Sequence, residues 1–274
     1  MSNILSIDCT ANLNDGVANL LNVYAAATLS ETRDGLDWYS SAHDEAQRIA
    51  RLYSVPMDVV VKVACALSPR LSWERNMPAA ESVIRHYVAG GFVPSITPYV
   101  DGTMKLQRTK ATPAGALVIA DNPLVPTIAG PTRVNVVKAL WILQGYQWVL
   151  RGKKVSSFCD NILNHATSNA VTVDSHAIQC WFGRMEEGTY AVPPTFYAVI
   201  EADYQRAAAI VGCTPLQFQA IVWVAKKRIT EENKRAQRAA VKQAKAELKR
   251  TEKAARALGK HIAHVLDSTW TVAA

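Results

Sequence analysis

Apolar positions recur at helical spacing along most of the chain. Trp38, Ala42, Ile49, Ala50 and Tyr53 share one broad face of a stretch from Gly35 to Tyr53. Between Pro56 and Leu67, the residues Val59, Val60, Val61, Val63, Ala64, Ala66 and Leu67 leave little polar surface, which predicts a buried helix. Ser68-Pro69-Arg70 should end it, because a proline pushes the residue before it out of helical geometry. A third helix is expected from Arg75 to Tyr87, stopping at Gly90-Gly91. Further helices are predicted for Arg133 to Leu143, Lys154 to His165, Ser175 to Phe182, Tyr197 to Val211 and Pro215 to Lys227. The last begins well, with Thr214 as N-cap and Pro215 in the first turn.

Two stretches depart from this pattern. From Ile96 to Gln107, Asp101-Gly102 lies between β-formers and predicts a hairpin. Pro113, Pro123, Pro126 and Pro131 then mark loops around a short helix expected at Ala114 to Ala120. The other stretch is the tail, Thr230 to Leu266. There Val241, Ala244, Leu248, Thr251, Ala255, Leu258, Ile262 and Val265 step alternately by three and four, a narrow apolar stripe flanked by Lys and Arg. A long solvated helix, a nucleic-acid clamp and a coiled-coil seam all fit that pattern.

Charge sharpens the picture. The 274 residues carry a formal charge of +7. Lys226 to Ile262 holds thirteen Lys/Arg and four Asp/Glu, a net of +9, so the remainder is 7 − 9 = −2. The basicity therefore belongs to the tail, where it suggests an anionic partner. A hydrophobic share of 49% argues for a globular chain of one or two domains. No basic segment followed by an apolar run opens the chain, and no run approaches the roughly 20 apolar residues of a membrane span. A soluble, cytoplasmic protein without membrane contact is expected. The five cysteines are widely spaced with no C-x-x-C, which argues against a disulfide framework or a clustered metal site. Neither a metal nor a cofactor is expected.

The most informative chemistry lies in Gly152-Lys153-Lys154-Val155 and, twenty residues after Lys154, in Val173-Asp174-Ser175-His176. Lys154 opens one predicted helix and Asp174 the next. An amine and a carboxylate converging there could break a glycosidic bond: the amine attacks the sugar carbon and the carboxylate steadies the developing positive charge. Exposed N–H groups at the first of these helix starts, with Lys153, would favour a phosphate. Partial burial of Lys154 and the neighbouring charge of Lys153 would help keep the amine neutral. Taken singly, each residue has a structural reading too; Asp174 can be a plain N-cap.

Together these segments resemble the helix-hairpin-helix DNA glycosylase superfamily, which includes endonuclease III and the 8-oxoguanine glycosylases. Gly152-x-Lys154 resembles the end of the family's hairpin with its catalytic lysine, and Val173-Asp174-Ser175-His176 its aspartate segment. Upstream, Leu67-Ser68-Pro69-Arg70-Leu71-Ser72-Trp73 with Asn76 resembles the segment whose polar residue enters the DNA stack. The family's earlier hairpin glycine is Leu150 here, and its four-cysteine cluster motif is absent. The resemblance implies a mostly α, two-lobed helical fold, to which the small β-hairpin insertion and the long basic C-terminal helix read from the residues are additions. One lobe would comprise residues 1–58 with 166–228, the other 59–165 with the insertion at 93–131, and 229–274 the tail. It implies a protein that flips a modified or damaged base out of double-stranded DNA; the oligomeric state is left open by the sequence, with a monomer favoured. Lys154 and Asp174 would be catalytic, and Arg70, Trp73, Asn76, Gly152, Lys153 and His176 would contact DNA or substrate. The superfamily also includes proteins of viral thymine hypermodification. A base-modifying transferase and a non-catalytic DNA-binding protein are therefore the alternatives.

Overall fold

The computed structural model describes residues 4–5, 16–69, 71–106, 117–183, 189–190 and 193–270. Among them are eleven α-helices and only four two-residue strands, a mostly α architecture. Two compact units divide the chain, Met1–Lys226 and Lys227–Ala274.

In the first unit the chain pairs β1 (Ile4–Leu5) in parallel with a later strand and enters α1 (Gly16–Ala25) and α2 (Leu29–Leu36). A capping box starts α2: Thr28 accepts from Glu31 N, and Glu31 accepts from Thr28 N at 2.8 Å. Such reciprocal capping satisfies two otherwise orphaned amides. Next come α3 (Trp38–Tyr53), α4 (Met57–Leu67) and α5 (Trp73–Val88). Ser54 ends α3 in the left-handed conformation. The predicted break after Leu67 is present.

The insertion differs from expectation. Asp101-Gly102 does not turn a hairpin; it follows the single turn α6 (Thr97–Val100), with Gly102 at φ +78°. β2 (Met104–Lys105) then pairs in parallel with β3 (Leu117–Val118), and a 3₁₀ turn covers Ile119–Asp121 where the end of a short helix was expected. Asp101 accepts from its own Thr103 N, so the local Asx turn satisfies the amide that a hairpin would have paired. The insertion is anchored by α7 (Arg133–Leu143). The Trp141 indole donates to Pro94 O at 2.7 Å, and the Arg133 guanidinium donates to the carbonyls of Ala120, Asn122 and Val125.

α8 (Lys153–Leu163) and α9 (Ser175–Trp181) follow, and β4 (Thr189–Tyr190) completes the pair with β1. α10 (Pro194–Val211) leads into α11 (Pro215–Trp270). The two helices expected at Pro215–Lys227 and Thr230–Leu266 are thus one element of 56 residues. The main core of the first unit is built from α3, α4, α5, α7 and α8, with Leu216 and Ala220 of α11. α1 packs against both α9 and α10. Among the described residues, no single helix is long and apolar enough to cross a membrane.

Candidate functional site

Gly152 caps α8 with φ +103° and open space where a side chain would stand. The positive φ turns the chain sharply into the helix, and glycine adopts it without strain. Lys153 and Lys154 are the first two helical residues. Lys154 is exposed, so the partial burial expected of it is not seen. Lys153 pairs with Glu201 of α10 at 3.2 Å and lies over the Tyr197 ring.

One face of α8 carries Lys154, Ser157, Phe158 and Asn161, spaced i, i+3, i+4 and i+7. The hydroxyls of Ser157 and Tyr197 meet at 3.3 Å, and Asn161 donates to Thr172 Oγ1 at 3.3 Å. Both contacts lead to the short segment Val171–Val173 that delivers Asp174. This segment is β-like in sequence but joins no sheet. Side chains take its backbone amides instead, joined at Val173 by a local bond to Val171 O. Val171 N donates to Glu201 (3.1 Å), Thr172 N to Gln219 (3.0 Å) and Val173 N to the Tyr197 hydroxyl (3.1 Å). Gln219 also donates to Thr172 O at 2.6 Å, and Tyr197 to Val171 O at 2.7 Å. Buried backbone groups need partners, and here residues of α10 and α11 supply what a neighbouring strand would.

Asp174 is the N-cap of α9, half-buried, its Oδ1 accepting from Ala177 N at 2.8 Å. Its carboxylate acts on the groups around it. Burial, opposed by hydrogen bonds to Asn161 and Thr172 and reinforced by the Asp174 charge, pushes Tyr39 up to about 12. Burial also pushes the Cys180 thiol up to about 12; the Lys226 ammonium opposes this and Asp174 adds to it. Lys226 and Asp174 therefore both lie within electrostatic range of one thiol. Lys226 is only 2% exposed, and its Nζ is 3.1 Å from Nδ1 of His176, two residues after Asp174. Gln219 and Lys226 stand seven residues apart on α11 and hold positions two before and two after Asp174.

The remaining candidates fall in different places. Trp73 is half-buried in a cluster with Trp38 (4.7 Å between centroids) and Phe158 (6.1 Å), and Trp38 also meets Trp223. This joins Trp73 to the α8 face that carries Lys154. Asn76 takes the place of a helix–helix brace rather than a surface contact: it is 1% exposed and donates to Ala64 O of α4. Arg70 lies outside the described residues. Among the described residues, no group of three or more His, Cys, Asp or Glu could hold a metal ion.

Sequence reasoning missed Gln219, Tyr197, Glu201 and Lys226. Only Lys226 carried a signal, as a lysine in an otherwise apolar run, Ala220-Ile221-Val222-Trp223-Val224-Ala225. By sequence position alone it belongs to the basic run that opens the tail.

Comparison with known proteins gives one match. The model of a family described as a family of unknown function, DUF7178, matches residues 3–234. No curated protein and no solved structure matches the chain.

Proposed function

The chain belongs to the DUF7178 family, and from its site we propose that it is a DNA glycosylase with an associated lyase activity, using Lys154 as nucleophile and Asp174 as its partner. The observation that carries this reading is the α8 face. Asn161 is bound to the segment that ends in Asp174, Ser157 meets the Tyr197 hydroxyl that holds the same segment, and Lys154 stands one turn from Ser157 on the same face, open to solvent. A lysine nucleophile must be reachable by substrate, while its partner must be held still. Exposure of Lys154 and the bracing of Asp174 meet those two needs.

In the proposed reaction a nucleotide leaves the duplex stack and its sugar enters between the two groups. Asp174 accepts a proton from the Lys154 ammonium. The amine attacks C1′, the C1′–N bond breaks, and the base leaves with the bonding electron pair. The ring then opens to an imine between Lys154 and C1′, from which β-elimination can cut the strand. Gly152 and the first amides of α8 would face a phosphate. The cluster of Trp38, Trp73, Phe158 and Trp223 offers aromatic surface beside the lysine.

Borohydride trapping tests the reading directly. The full-length protein is incubated with duplexes bearing abasic sites and a panel of natural and modified bases. A covalent adduct that disappears in Lys154→Ala is expected. An adduct that persists in Lys154→Ala overturns the assignment of the nucleophile. Turnover of a small amine or amino acid without an adduct favours a transferase, and binding without turnover on any duplex favours a non-catalytic DNA-binding protein.

A further inference from the structure

The second unit, Lys227–Ala274, is helical to Trp270, and its residues 235–256 are exposed. Ala, Gln, Lys, Arg, Glu and Leu dominate its sequence, all strong helix formers. Between Lys234 and Arg256 nine residues are basic and two, Glu247 and Glu252, acidic, a net of 9 − 2 = +7.

Those charges are not spread around the helix. Lys234, Arg238, Lys242, Lys245, Lys249, Lys253 and Arg256 step by four, four, three, four, four and three. The pattern repeats every eleven residues, as 234 to 245 to 256, 238 to 249 and 242 to 253. Eleven residues make about three turns, so the row drifts only about 20° per repeat. Seven cations therefore lie in an arc of roughly 100° along about 33 Å of helix, on average about 5.5 Å apart, with Glu252 the one acidic residue among them. The opposite side holds Ala236, Gln237, Ala240, Ala244, Glu247, Thr251 and Ala254. A solvated helix has no need of such a one-sided row.

We infer that this row is a binding surface for duplex DNA, engaging the phosphates along one groove edge. A surface that binds anionic membranes needs a strongly apolar face beside its charges. Here the exposed apolar positions Val241, Leu248 and Leu258 alternate with Ala244, Thr251 and Ala255, and no aromatic side chain accompanies them. A coiled-coil seam would likewise be poor in large side chains. A regular line of cations matches a regular line of phosphates, and an α-helix fits the width of the major groove. This inference shares with the proposed reaction only the partner. It concerns binding, and it stands or falls whether or not Lys154 performs chemistry.

The test is salt-dependent binding of the full chain to an unmodified duplex, read by fluorescence anisotropy. Seven phosphate contacts predict a slope of log K against log salt of about −6. Replacing Lys242, Lys245, Lys249 and Lys253 by Gln should reduce the slope by about 3 to 4 and weaken binding by at least about a hundredfold near 0.1 M salt. A second variant adds Gln237→Lys, Ala240→Lys, Ala244→Lys and Ala255→Lys, which restores the net charge on the opposite face. It should bind as weakly as the first. Binding recovered by that variant would show that charge alone matters and overturn the row. So would an unchanged slope in the first variant, or tighter binding to vesicles containing anionic lipid than to DNA. Circular dichroism on each variant verifies that the helix is retained.

Discussion

The Nζ of Lys226 lies 3.1 Å from Nδ1 of His176, with the lysine buried and the histidine residue exposed. With Lys226 as an ammonium, which can only donate, Nδ1 accepts and a neutral ring carries its proton on Nε2. His176 in ¹⁵N-labelled protein should thus show the Nε2–H tautomer. Lys226→Met should mix the tautomers while Lys226→Arg keeps the pattern. An Nδ1–H ring in the unmodified protein would sink the assignment.

Gln219→Leu removes both partners of the Thr172 backbone. Leaving a buried amide and carbonyl unpaired costs about 1–3 kcal/mol each. The expected loss is about 2–6 kcal/mol, measured by urea denaturation. A change below about 0.5 kcal/mol would mean that Thr172 finds other partners.

Asp174→Asn separates capping from charge. Asparagine caps a helix about as well as aspartate, so stability should change by less than about 1 kcal/mol. The borohydride adduct should nevertheless fall by at least about tenfold, because the carboxylate is lost. An unchanged adduct yield would leave Asp174 as a cap alone.

Buried acids make the fold sensitive to alkali. Burial raises Tyr39 and Cys180 to about 12, and Tyr204 and Cys65 are raised as well. The folded chain thus keeps protons that the unfolded chain releases, so stability falls as pH rises. Their contribution is complete below about pH 9 and is lost progressively toward pH 12. Urea midpoints should drop across that window, and Tyr39→Phe should flatten the drop above pH 10. Midpoints independent of alkaline pH would contradict this.

Gly35→Ala tests a close approach. A Cβ there would stand 2.5 Å from Cα of Ile221 on α11. The gain in helix propensity is at most about 1 kcal/mol, while overpacking costs about 1–3 kcal/mol or more. A net loss of thermal stability is expected, and a raised melting temperature would count against the packing.

The sequence made part of this legible. α3, α4, α5, α7 and α8 were readable because their apolar faces recur with a helical period and their ends carry Pro, Gly or Ser. α2 was not, since Leu29-Ser30-Glu31-Thr32-Arg33-Asp34-Gly35-Leu36 lacks such a face and relies on its capping box. Asp101-Gly102 misled because a turn dipeptide does not state what it connects. At the site, the positions of Lys154 and Asp174 at helix starts could be read from local pattern. The groups that hold them could not. Tyr197, Glu201 and Gln219 act across 24 to 47 residues of chain, and no local period encodes such partners.

Because side chains stand in for a strand along Val171–Val173, three adjacent amides answer to three different anchors. Their hydrogen-exchange rates form a built-in gauge. Loosening of α10 would speed exchange at 171 and 173, and loosening of α11 would speed it at 172 alone. The protein thus offers a way to tell which neighbour has slipped before any chemistry is assayed.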